Sequence, residues 1–162
     1  MMQSMKTRFI LAMLACGCAG ATESFDNLPA GAISQVTTAY GTLSAAQGHA
    51  EINRGHGRGS AQALRLQGGQ NHSATLQLSQ PLEAEAPAQC WVERWTSRNP
   101  FNFRILAVTP EGEKEVARLE QSGVGGYNNL VKWTMPAGTT ALRFVANTAE
   151  GGGVLIDDLT LM

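Results

Sequence analysis

Residues 151–162, GGGVLIDDLTLM, decide how the rest of this chain must fold. The glycines make a flexible turn, and the residues after them alternate. Val154, Ile156, Asp158, Thr160 and Met162 fall on one side; Leu155, Asp157, Leu159 and Leu161 fall on the other. An apolar closing strand has to dock in a sheet, because its leucines and backbone polar groups would otherwise stay in water. Adjacent aspartates inside such a strand are unusual, since Asp is depleted in strands and avoids cores unless something pairs with it. A hard cation such as calcium is one suitable partner. A solvated edge, where charge discourages edge-to-edge pairing, is the other reading.

Working outward, the chain reads as a succession of short apolar runs separated by turn residues. Residues 24–28 (SFDNL) form a short strand entering an NLPAG turn, with Asp26 beside apolar Phe25. Residues 32–41 are a strand or a loop crossing the sandwich end, and residues 49–52 are a brief strand. A glycine loop, NRGHGRG from residue 53, leads into ALRL, with Leu64 and Leu66 inward and Arg65 outward. Residues 73–78 read as the hairpin partner of ALRL. In QCWVERWT, residues 89–96, Cys90, Val92 and Arg94 share one side and Trp91, Glu93 and Trp95 the other. Further strands follow at residues 101–108, 114–119, 130–135 and 141–146, and a mobile GVGG loop at 123–126 leads to Tyr127 and Asn128. Roughly eight to ten short strands at this spacing, with no long helical period, predict one all-β sandwich or barrel.

The N-terminus reads as a targeting segment. Lys6 and Arg8 precede an apolar run at residues 9–18, too short to span a bilayer, and Ala19-Gly20-Ala21 suits a small-x-small cleavage site. The expected division is a signal peptide at residues 1–21 and a single domain at 22–162, exported to the periplasm, the cell surface or the medium. The alternative is a lipid anchor on Cys16 or Cys18. Of the 12 basic and 13 acidic residues, removing Lys6 and Arg8 leaves 10 against 13, a net charge of −3. That balance argues against nucleic acid as a partner. Only Cys90 remains in the domain, so no internal disulfide can form.

Catalysis needs a nucleophile with a base, paired carboxylates in a cleft, or a transition metal. His49, His56 and His72 are scattered, no G-x-S-x-G is present, and Asp157 and Asp158 alternate to opposite faces, so they cannot flank one glycosidic bond. The chain does not read as an enzyme.

SFDNLPAG, the glycine loop followed by ALRL, the paired WVERWTS and FRILAV strands and the closing IDDLTL together resemble a jelly-roll carbohydrate-binding module of the galactose-binding-like superfamily. WVERWTSRNPFNFRI is also similar to the domain ahead of the propeller in some bacterial exported sialidase-like (BNR-repeat) proteins. The resemblance spans about residues 22–162. It implies a jelly-roll β-sandwich that binds glycan or polysaccharide and holds a structural Ca2+ between first strand, glycine loop and last strand. On that resemblance Asp26 and one or both of Asp157 and Asp158 are metal ligands, with carbonyls near residues 58–60. No further carboxylate stands in the loop; the nearest is Glu51. Sugar recognition uses flat aromatic faces and planar polar side chains, so the candidate ligand-binding residues are Trp95, Glu93, Arg94, Arg104, Tyr127 and Asn128. Arg94 and Arg104 are expected on neighbouring strands. The competing readings are a structural or protein-interaction sandwich without a sugar site, and a stand-alone N-terminal domain of a sialidase-like enzyme.

Overall fold

A computed structural model describes residues 21–162; the expected signal peptide and the Cys16 and Cys18 alternative fall outside the described residues. The strands are β1 (Thr22–Glu23), β2 (Gly31–Ala32), β3 (Gln35–Thr37), β4 (Gly41–Ala45), β5 (Ala50–Arg54), β6 (Gln62–Gln67), β7 (His72–Leu78), β8 (Ala86–Arg94), β9 (Phe101–Thr109), β10 (Gly112–Leu119), β11 (Asn129–Met135), β12 (Ala141–Thr148) and β13 (Gly153–Leu161). They form two antiparallel sheets. One is seven-stranded, in the order β11-β8-β13-β6-β5-β2 with β1 beside β13; the other is six-stranded, in the order β10-β9-β12-β7-β4-β3. This is an all-β jelly-roll sandwich. Among the described residues no helix is long and apolar enough to cross a membrane.

Alternation along the strands builds the core. Leu64 and Leu66 of β6, Cys90 and Val92 of β8, and Val154 and Ile156 of β13 point inward from the seven-stranded sheet. Leu76, Phe103, Ile105, Leu142 and Phe144 meet them from the other sheet. The sheet ends are guarded. β2 and β3 are only two and three residues long, while β10 (GEKEVARL) is lined with exposed charge, a common way to discourage pairing with another chain.

The strand assignments for the second half of the chain hold, but the pairing of neighbours does not. β6 and β7 are not a hairpin: β6 pairs with β5 and β13, β7 with β4 and β12. Likewise β8 and β9 lie in different sheets. A sandwich buries both inner faces by sending the chain across between sheets, so consecutive strands need not be neighbours. Residues 24–28 are also not a strand. The strand is β1, and the chain turns immediately after it, with buried Phe25 at φ 61°.

The closing strand departs from simple alternation. Between Asp157 (opposite Trp91) and Thr160 (opposite Gln89) β13 carries one residue more than β8. Asp158, at φ 48°, is the extra residue. Such a bulge flips the strand's faces. Val154 and Ile156 face the core before it; Leu159 and Leu161 pack there after it. The bulge also frees the second half of β13 from β6 and lets β1 pair with it, Thr22 opposite Thr160 and Glu23 opposite Leu159.

Cys90 is fully buried, and burial pushes its thiol pKa up. In the native protein it should react with a water-soluble disulfide reagent at least about a thousandfold more slowly than in denaturant, since attack needs global opening. Rapid native labelling at Cys90 would contradict this packing.

Candidate functional site

The outer face of the seven-stranded sheet is not a plain solvated surface. Ala63 of β6, Leu155 of β13 and Tyr127 are buried there, with half-buried Trp91 and Trp95 packed against them. These residues point away from the main core by the same alternation that sends their neighbours inward. Two loops cover the patch. Tyr127, at φ 48°, sends its hydroxyl to donate to the His56 carbonyl at 2.6 Å, so the 122–128 loop is tied to the glycine loop.

Each indole carries a guanidinium. Arg58 Cζ lies 3.9 Å from the centre of the Trp91 ring and Arg65 Cζ lies 3.8 Å from that of Trp95. His56 meets Trp95 edge-on at 4.7 Å. Stacking of this kind contributes about 0.5–2 kcal/mol per pair. Arg65 is held from behind, donating to Glu51 Oε1 at 3.1 Å and to the Gly152 carbonyl at 2.8 Å. Glu93 stands between the two indoles on β8. Burial raises its carboxyl pKa, opposed by the charge of His56 and by the main-chain N–H groups of Tyr127 and Gly125.

The expected ligand-binding residues therefore separate. Trp95, Glu93 and Tyr127 come together, with exposed Asn128 on the covering loop, where its Nδ2 donates to the Gly125 carbonyl at 3.0 Å. Arg94 does not join them. Its guanidinium clamps the turn after β8, donating to the carbonyls of Thr96, Ser97 and Arg98 and to Asn99 Oδ1 at 2.7–3.2 Å. Arg104 lies on β9 in the other sheet, paired at 4.0 Å with Glu115. The expectation that Arg94 and Arg104 sit on neighbouring strands fails for the reason β8 and β9 are not partners. Arg58, Arg65 and His56 were not singled out as site residues, although ALRL alternation put Arg65 outward. His49 and His72, which read as scattered, stack at 4.3 Å; burial and the neighbouring ring lower the His49 pKa.

The three aspartates all reach the glycine loop, but as acceptors of hydrogen. Asp26 Oδ1 accepts from the N–H groups of Ala61 and Gln62 at 3.1 and 2.8 Å. Asp157 Oδ2 accepts from the Arg58 N–H at 2.7 Å and the Ser60 hydroxyl at 3.0 Å, and its Oδ1 from the Asp158 N–H at 2.8 Å. Asp158, turned by the bulge to the same loop rather than to the opposite face, takes Arg58 Nη1 at 3.0 Å. Calcium wants about six to eight oxygen ligands with free lone pairs. Here the loop presents N–H groups and a guanidinium, and no group of three acidic, His or Cys side chains able to hold a metal stands among the described residues. This donor set does not fit the ion.

Asp157 is wholly buried. Burial pushes its pKa up to about 6, the loss of water outweighing the donors from Arg58, Asp158 and Ser60. A carboxyl raised on folding stabilises the fold when protonated. That contribution is fully present below the ordinary 3.8 and is lost as pH rises through about 6. Urea unfolding between about pH 4 and 7 should show wild type losing stability relative to Asp157→Asn; parallel profiles would contradict the assignment.

No model of a known protein family matches the sequence, and no curated protein matches it. Solved structures do. The chain is similar to the K3 cleaved adhesin domain of Lys-gingipain from Porphyromonas gingivalis W83, at 14% identity and a TM-score of 0.59 over 89% of this chain and 99% of that one. It is similar to a family 16 carbohydrate-binding module (12% identity, TM-score 0.51, 72% and 86% covered). It is also similar to TmCBM61, solved with β-1,4-galactotriose (14% identity, TM-score 0.51, 74% and 86% covered). Likeness at this identity establishes the fold: a jelly-roll β-sandwich, the architecture these carbohydrate-binding modules use.

Proposed function

We propose that this protein is an exported, non-catalytic module that binds a neutral glycan chain on the outer face of its seven-stranded sheet. The observation that carries the reading is the pair of half-buried indoles, Trp91 and Trp95, on one strand face with Glu93 between them. Four residues of strand span about 13 Å, enough to meet more than one sugar ring. Guanidinium backing fixes each ring in place, so little side-chain freedom is lost on binding. Glu93 and Asn128 supply planar polar groups for hydroxyls.

Charge favours a neutral ligand. Arg58 is already paired with Asp158, and Arg65 with Glu51. Both charges are thus already offset by carboxylates, and Glu93 would repel a sugar carboxylate. The glycan-binding reading also agrees with the solved modules of the same fold, one of them holding a galactotriose.

Retention on immobilised neutral polysaccharides, followed by a glycan array, tests this directly. Wild type should be retained and Arg104→Ala, on the opposite sheet, should behave like it. Loss of binding in Arg104→Ala alone, or capture of a protein partner with no glycan signal, would move the site elsewhere or replace the reading with that of a protein-interaction sandwich.

A further inference from the structure

At the junction of chain start, glycine loop and last strand, the oxygen atoms that suit a hard cation are instead collected by nitrogen. The carbonyls of Phe25, Asp26 and Leu28 converge on Gln62 Nε2 at 2.9, 3.4 and 2.9 Å. Gln62 is itself 3% exposed. Its main-chain N–H meanwhile binds the Asp26 carboxylate at 2.8 Å. Three carbonyls around one point make an oxygen cluster of the kind that contributes to calcium sites, yet the centre is the side-chain amide nitrogen of Gln62, carrying hydrogens. At the far end of the loop Arg58 is the fixed cation, 3.0 Å from Asp158 and stacked on Trp91. Phe25 at φ 61° is held between these ties, its N–H on Glu23 Oε1 at 2.7 Å and its carbonyl on Gln62.

We infer that this protein ties its two ends together with covalently attached donors, the Gln62 amide and the Arg58 guanidinium, in place of a divalent ion, and that Gln62 is the residue whose identity keeps calcium out. The inference stands independently of glycan binding. An amide and a carboxylate have the same shape, so Gln62→Glu turns the cluster into oxygen alone. Four or more oxygens facing one another repel unless a cation enters.

The experiment is thermal melting of the purified protein in chelator and in calcium at about 10 mM, above the dissociation constants of weak extracellular sites. Wild type is expected to melt at one temperature in both. Gln62→Glu is expected to melt lower than wild type in chelator and to regain about 5 °C or more with calcium. A wild-type protein that melts lower in chelator overturns the inference, and so does a folded Gln62→Glu indifferent to calcium. Should Gln62→Glu not be recovered folded in either condition, Gln62→Met carries the test. It removes the donors without adding charge and should lower melting equally in calcium and in chelator. A calcium-dependent difference in that variant would show that a metal does the tying.

Discussion

Asp157→Ala is expected to be among the most damaging single substitutions in this protein, lowering stability by about 3–5 kcal/mol. The carboxylate is completely buried, and it is the shared acceptor for the Arg58 N–H, the Ser60 hydroxyl and the Asp158 N–H. Removing it leaves these part-buried donors without their shared acceptor, and each group left unsatisfied costs about 1–3 kcal/mol. The loop would lose its hold on β13, and with it the Arg58 contacts to Asp158 and Trp91. Asp157→Asn keeps the shape and one acceptor oxygen, so its cost should be nearer 1–2 kcal/mol. Denaturant unfolding at neutral pH measures both. An Asp157→Ala midpoint within error of wild type would mean that the loop is not held through this residue.

Trp95→Ala should produce the largest loss of ligand affinity, about 30-fold or more, which corresponds to the 2 kcal/mol or so of an anchoring aromatic residue. Its indole presents a flat apolar face fixed by Arg65 behind and His56 at the edge. The variant should stay folded, because Arg65 keeps its bonds to Glu51 and the Gly152 carbonyl, and Trp95 lies outside the main core. Trp95→Phe should recover part of the affinity. Equilibrium titration against the retained polysaccharide, with a melting curve for each variant, separates binding from folding. Unchanged affinity in Trp95→Ala would remove the indole from the site.

How much of this was readable from the residues differs by level. Period-2 alternation located β6, β9, β11 and β12 to within a few residues and put Trp91, Glu93 and Trp95 on one face. Those facts depend on local backbone geometry. Pairing depends on which strand lies beside which in space, and adjacency in sequence misled twice, for β6 with β7 and β8 with β9. The bulge at Asp158 is invisible to alternation because it is the place where alternation breaks. Only the paired aspartates hinted that something there was irregular. Asp26 and the terminal aspartates were singled out as a cluster and do meet one loop. What that loop offers them, N–H groups and Arg58 rather than carbonyls, follows from its local path. Gln62 carried no signal at all, since a Gln at the start of a strand is ordinary until three carbonyls are found around its amide.

The most direct test of the glycan-binding account uses the chain's three tryptophans as reporters. Trp91 and Trp95 sit on the outer face of the seven-stranded sheet, whereas Trp133 is buried in the main core. Each gives one indole N–H resonance, so a nuclear magnetic resonance titration with a neutral oligosaccharide reads all of them at once. The expected result is that the Trp91 and Trp95 signals move and saturate while Trp133 stays still. Saturable binding that leaves Trp91 and Trp95 unmoved, with shifts confined to Arg104, Arg143 and their neighbours on the opposite sheet, would contradict the account.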